Sequence, residues 1–168
     1  NGGGAYLQAS TLIAVNNIVS NNTSADYGGG LYVNAADNSA TLTNNTVTGN
    51  TATSGGGVFA YLYYDTATVD IYNNIIWGNN PPVRILNGEP VNDLYIANDG
   101  NTNGIASVVN LFNNDFDQSA AGFYATIAFT PDASHLDNAD PLFFDAANDA
   151  YHVWGTSLAQ HLPGGDAG

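Results

Sequence analysis

Glycine triplets begin at Gly2, Gly28 and Gly55, and asparagine pairs fall at Asn16-Asn17, Asn44-Asn45, Asn73-Asn74 and Asn113-Asn114. The triplets are 26 and 27 residues apart, and the pairs 28, 29 and then 40. A period of this size marks a repeat architecture, in which one unit cannot bury its apolar side alone and must stack on the next. The clearest copy runs from Gly55 to Asn79: a glycine triplet, a short strand, an insert, a second strand, an Asn-Asn corner and a third strand ending on asparagine. The same grammar runs from Gly28 to Asn50 and from Gly2 to Asn22.

Runs such as Ala40-Thr41-Leu42-Thr43 and Thr68-Val69-Asp70-Ile71-Tyr72 alternate with period two and are rich in β-branched and aromatic residues, so the units are built of strands. Each unit is then one turn of a β-solenoid. The expected fold is all-β, a right-handed parallel β-helix of about five to six coils, on the order of 25 to 30 Å long by the spacing between strands. One domain covers residues 1–168, with regular coils in 1–80 and irregular coils with a C-terminal cap in 81–168. Pro81-Pro82 marks the change, because proline lacks the donor that a strand ladder needs.

Glycine and asparagine both tolerate the left-handed backbone that a sharp corner requires. Stacked about 4.8 Å apart, equivalent asparagines can also pass amide hydrogen bonds from coil to coil. The candidate ladders are Asn22, Asn50 and Asn79, and Asn17, Asn45 and Asn74.

Charge narrows the partners. The chain carries −14 at pH 7, with Arg84 as its single Lys or Arg, so it cannot neutralise a nucleic-acid backbone or settle on an anionic membrane. It has no apolar run of membrane-spanning length, so membrane insertion is not expected. Without cysteine it has no disulfides. Ten of the fifteen carboxylates follow residue 90, which makes the second half the acidic end. An acidic, Asn/Thr/Gly-rich surface suits an extracellular or cell-surface setting. The first repeat has no capping segment before it, so the expected arrangement is a piece of a longer chain or a coil covered by a neighbouring molecule. Self-association, end to end or side by side, follows from the second case.

Candidate binding residues come from the strand after each triplet: Ala5-Tyr6-Leu7, Leu31-Tyr32-Val33 and Val58-Phe59-Ala60. If the aliphatic positions face inward, Tyr6, Tyr32 and Phe59 form an outward column, one above another, extended by Tyr61 and Tyr63 on the third coil. Such a stripe is a stacking platform for sugar rings, a contact surface for another protein, or simply a ladder that holds the coils together. Candidate calcium ligands are Asp99, Asn101 and Asn103, which match the first half of a calcium loop although its twelfth position is Asn110. Asp140, Asp145 and Asp149 form a second acidic group in which a calcium ion would relieve mutual repulsion. Asp65 with Asp70, and Asp115 with Asp117, are the carboxylate pairs nearest to what a glycosidase needs, and the second pair is expected to be solvated.

From Asp137 the chain reads DNADPLFFDAANDAYHV. Together with the GGG-strand units and coils such as NNTVTGN, this resembles the right-handed parallel β-helix repeat proteins of bacterial surfaces, including polymorphic outer-membrane-protein repeats. The likeness spans essentially the whole chain. It departs at Ser157-Leu158-Ala159-Gln160-His161, where such proteins resemble S-P-A-I-D. The resemblance implies a secreted or surface-attached, non-catalytic structural or adhesive segment, with His152 packed beneath the cap. The alternative is a polysaccharide-binding module, or a polysaccharide lyase or glycoside hydrolase, since parallel β-helices also carry those activities. β-Helix lyases resemble one another in supplying several cations, which one Arg84 does not match, and nothing here resembles the N-T-D and D-D signatures of the hydrolases.

Overall fold

The computed structural model describes residues 1–8, 11–35, 39–62, 67–79, 93–98, 107–126, 133–148 and 150–153. The first three units each give three short strands: β1 (Ala5–Gln8), β2 (Thr11–Val15) and β3 (Ile18–Ser20); β4 (Leu31–Asn34), β5 (Ser39–Thr43) and β6 (Thr46–Thr48); β7 (Val58–Leu62), β8 (Thr68–Tyr72) and β9 (Ile75–Trp77). The pattern continues through β10 (Leu94–Asn98), β11 (Val108–Phe112) and β12 (Asp115–Phe116), then β13 (Phe123–Ala125) and β14 (Leu136–Asp137). A hairpin of β15 (Phe143–Asp145) and β16 (Ala150–Val153) follows.

Equivalent strands pair in parallel, coil on coil. The first sheet runs β1-β4-β7-β10-β13, the second β2-β5-β8-β11 and the third β3-β6-β9-β12-β14. Together they make a parallel β-helix. Among the described residues only β15 and β16 pair antiparallel.

Register carries the sequence repeat directly into space. Leu31 lies opposite Val58 and Val58 opposite Leu94, so aliphatic positions stack on aliphatic positions. Leu31, Val33, Leu42, Val47, Val58, Leu62, Val69, Ile71, Ile76, Leu94, Ile96 and Phe116 share one core that threads the coils. Alternation does the rest: β5 and β8 both bury their second and fourth residues.

The two asparagines of each corner divide the labour. The first takes the left-handed conformation, with φ of 57°, 55°, 56° and 55° at Asn16, Asn44, Asn73 and Asn113. The second builds the ladder. Asn17 donates through Nδ2 to Asn45 Oδ1 at 2.9 Å, Asn45 to Asn74 at 3.0 Å, and Asn74 to Asn114 at 2.9 Å. A parallel ladder links Asn22 to Asn50 at 3.1 Å and Asn50 to Asn79 at 3.0 Å. Both ladders end on other chemistry: Asn79 donates to Asp93 Oδ1 at 3.0 Å, and Asn114 N to His135 Nδ1 at 3.1 Å.

The glycine triplets fit around this ladder. Gly28 and Gly55 have φ of +62° and +60°, which side chains resist. A Cβ on Gly29 would meet the Gly56 carbonyl of the next coil, and one on Gly30 would lie 2.9 Å from the Asn50 amide and 2.8 Å from Val47. The coils close only because these positions carry no side chain.

After β14 the chain folds back along the outside of the third sheet. Ala139 N donates to Asp115 Oδ1 at 3.0 Å, Phe143 meets Trp77 edge-on at 6.1 Å, and Tyr151 meets Phe143 edge-on at 5.3 Å. Asn21, in the first coil, donates to the Tyr151 hydroxyl at 2.8 Å. This strap explains an anomaly of burial. Ile75 and Asp115 are in register and point away from the core, yet they are 3% and 0% exposed, whereas the equivalent Ile18 is 59% exposed.

Candidate functional site

The outer face of the first sheet carries the expected aromatic column, and it is longer than the sequence suggested. Tyr6 stacks on Tyr32 at 4.9 Å, Tyr32 on Phe59 at 5.2 Å and Phe59 on Tyr95 at 4.9 Å, with interplanar angles of 9°, 13° and 22°. Tyr124 ends it at 5.0 Å from Tyr95. Strand register imposes the arrangement, since the five residues occupy equivalent positions in β1, β4, β7, β10 and β13. Tyr61 lies one outward position further along β7, opposite Asn34 and Ala97, and widens the column on the third coil, with its ring 6.4 Å from Phe59. Tyr63 lies outside the described residues.

Stacking takes the ring faces for itself. Tyr32 and Phe59 are 7% and 5% exposed, and Tyr27 closes over Phe59 with centroids 4.6 Å apart. Tyr6, at the end of the stack, stays 47% exposed. What remains open to solvent is a hollow beside the column, of about 390 Å³, lined by Tyr27, Tyr32, Phe59, Tyr61, Tyr95 and Thr126 with Asn1 and Ala97. Among the described residues no acidic or basic side chain lines it. Such a hollow offers ring edges and tyrosine hydroxyls to a ligand.

Tyr95, Tyr124 and Tyr27 are the site residues that sequence reasoning missed. The first two were legible: Leu94-Tyr95-Ile96 and Phe123-Tyr124-Ala125 repeat the apolar–aromatic–apolar triplet of the regular coils. Tyr27 carries no such signal, because it precedes the triplet strand.

The acidic residues gather elsewhere, at the turn that follows the third sheet. Asp115 is fully buried, which corrects its expected exposure; the strap that covers it is invisible in a local reading. Its Oδ1 accepts from Ala139 N, while its buried Oδ2 has no partner among the described residues. Burial pushes its carboxyl up to about 7, opposed by the Ala139 hydrogen bond and reinforced by Asp93, Asp137 and Asp140. Asp93 is likewise pushed up to about 6, chiefly by burial, although Asn79 and Asp117 N both donate to it. Asp117 is half-buried and accepts from Ser119 N at 2.9 Å, whereas Asp115 is enclosed and its Oδ1 accepts from Ala139 N.

On the second sheet Asp70 accepts from Asn110 at 2.8 Å and Tyr72 at 3.2 Å; Asp65, its suggested partner, is outside the described residues.

Of the calcium candidates, Asp99, Asn101, Asn103 and Asp149 are outside the described residues. Asp140 accepts from Leu142 N at 2.9 Å and Asp145 from Asn148 at 2.8 Å, each within its own turn. Among the described residues no three His, Asp or Glu side chains converge on a point that holds a metal ion.

His152 is exposed, contrary to the expectation that it packs beneath the cap; Tyr151 takes the buried position, because adjacent strand residues face opposite ways. Among the described residues His135 is the buried histidine, packed edge-on against Phe116 at 5.2 Å. No helix of the described residues is long and apolar enough to cross a membrane.

Comparison of the chain with protein-family models, curated proteins and solved structures finds no match.

Proposed function

We propose that this chain is a non-catalytic structural or adhesive β-solenoid segment of a secreted or cell-surface protein, which presents a rigid acidic surface and self-associates. The observation that carries the reading is the continuity of its stacking. Two amide ladders and one aromatic column run through successive coils, and each coil is held by the next. Chemistry spent in this way makes a stiff spacer, with its aromatic faces turned on one another. Solution mass tests the self-association. Light scattering over a range of protein concentrations, with and without calcium, gives assemblies that grow with concentration; a strict monomer under every condition refutes that part of the reading.

A second reading rests on the hollow beside the column. Its tyrosine hydroxyls, Thr126 and uncharged lining suit a neutral glycan held without being cleaved. Titration calorimetry with neutral and acidic polysaccharides decides between a spacer and a binding module. Binding of neutral glycans that Tyr61→Ala abolishes supports the module. Release of reducing ends or unsaturated sugars would overturn both readings in favour of an enzyme.

A further inference from the structure

We propose that the segment carrying β15 and β16 is a pH-released strap, fastened while the Asp115 side chain beneath it is protonated and loosened when that side chain ionises. The inference concerns regulation, and it stands whether or not the chain binds a glycan.

Asp115 occupies the outward column of the third sheet, in register with Ile75. It is buried there by the returning chain, and one of its oxygens is held by a strap amide, Ala139 N, at 3.0 Å. The other oxygen, also buried, has no hydrogen-bond partner among the described residues. A neutral carboxyl fits that environment; a carboxylate does not.

The surroundings make ionisation harder still. Asp93 precedes β10, Asp117 follows β12, Asp137 lies in β14 and Asp140 is in the strap itself; of these Asp93, Asp137 and Asp140 act on Asp115 directly and Asp117 acts on Asp93. His135, one coil further, is the other titratable group nearby, and its Nδ1 accepts from Asn114 N, so it serves the ladder as the neutral imidazole. No Lys or Arg is among the described residues to compensate, Arg84 being the only one in the chain.

The sign follows. With the strap closed, Asp115 holds its proton up to about pH 7; uncovered, it returns towards the ordinary value of 3.8. Closure is therefore strongest below that lower value. It weakens as pH rises between the two, by at most about a thousandfold in all, because Asp93 and Asp137 stay beside Asp115 when the strap leaves. Opening would uncover Ile75 and Trp77 and extend the apolar strip that Ile18 already exposes.

The test uses the full chain with Trp154→Phe, so that Trp77 reports alone. Acrylamide quenching of Trp77 is measured from pH 4.5 to 9 at fixed ionic strength. The expected result is quenching that rises with pH, and that stays at its acid level throughout when Asp115→Asn is added. Quenching that is flat with pH, or that rises equally in the Asp115→Asn protein, would overturn the proposal. Carboxyl and amide NMR of the unmutated chain is a second, independent reading. The Asp115 carboxyl carbon and the Ala139 amide should titrate together, well above the ordinary aspartate range; titration of Asp115 near 3.8, or an Ala139 amide indifferent to it, overturns the strap as well.

Discussion

Replacing Asn74 with aspartate changes one NH2 to an oxygen at the centre of the first ladder and alters almost nothing in shape. The native Nδ2 donates to Leu42 O at 2.9 Å, Tyr72 O at 3.0 Å and Asn114 Oδ1 at 2.9 Å, and the side chain is 1% exposed. An aspartate would aim a second acceptor at these three acceptors. Protonation rescues only one bond, which leaves a loss of about 1 to 3 kcal/mol for the unmet groups. Holding that proton at pH 7 against an ordinary value near 4 costs about 4 kcal/mol more. The total of about 5 to 7 kcal/mol at pH 7 rivals the whole stability of a small domain, whereas at pH 4 only the first part remains. Asn22→Asp is the matched control. Asn22 is half-buried and donates to Ser20 O and Asn50 Oδ1 at the outer end of its ladder, where water can solvate a charge. Its cost should stay below about 2 kcal/mol. Urea unfolding followed by circular dichroism, each variant compared with the unmutated chain at pH 4 and pH 7, gives both numbers. A cost for Asn74→Asp that does not change with pH, or that Asn22→Asp equals, would refute the account of the ladder as a buried, proton-ordered chain.

Three further outcomes follow from the same geometry. Because Asp93 and Asp115 have raised values in the folded state, they favour folding most below their unfolded range, and stability falls as pH rises towards about 6 and about 7; urea midpoints should therefore be higher at pH 5 than at pH 8, by several kcal/mol in free energy. Phe59→Ala removes the ring between Tyr32 and Tyr95 and should cost about 3 to 5 kcal/mol, with loss of near-ultraviolet tyrosine dichroism as the local signature. Gly29→Ala sets a methyl against the Gly56 carbonyl and the Thr51 backbone, 2.6 Å away, and should lower the melting temperature by an amount equivalent to about 1 to 3 kcal/mol; Gly78→Ala, whose nearest neighbour is Thr48 Oγ1 at 3.8 Å, has no such collision and tests strain from its φ of +65° alone.

The parallel β-helix was legible because its information is local and repeated. A glycine triplet, an apolar–aromatic–apolar strand and an Asn-Asn corner each state their own conformation, and the period states that they stack. Both expected ladders form, and each goes one member further than the regular repeat: to Asn114 across the 40-residue interval, and to Asp93 in place of an asparagine. The aromatic column was legible for the same reason, up to the point where the triplet became Leu94-Tyr95-Ile96 and lost its glycines. Tyr61 widens the column on the third coil, 6.4 Å from Phe59 and 6.5 Å from Tyr32.

The strap was not legible, and the reason is physical. Parallel stacking couples a residue to its equivalents about one period away, so periodicity encodes those contacts and no others. The bond between Asn21 and Tyr151 spans 130 residues, far more than one period. It leaves no trace in the period, only an anomaly: outward positions at Ile75 and Asp115 that a solvated face would not bury. Asp115 reads as a surface aspartate in any local pattern, because its strand neighbour Phe116 takes the core side and alternation then assigns it to solvent. Its burial is decided by chain that arrives from outside the repeat. Among the described residues the carboxylates whose protonation the fold shifts lie where the repeat is broken, at Asp115 under the strap and at Asp93 where a carboxylate replaces a ladder amide. The regular coils supply rigidity, and their departures from regularity supply response.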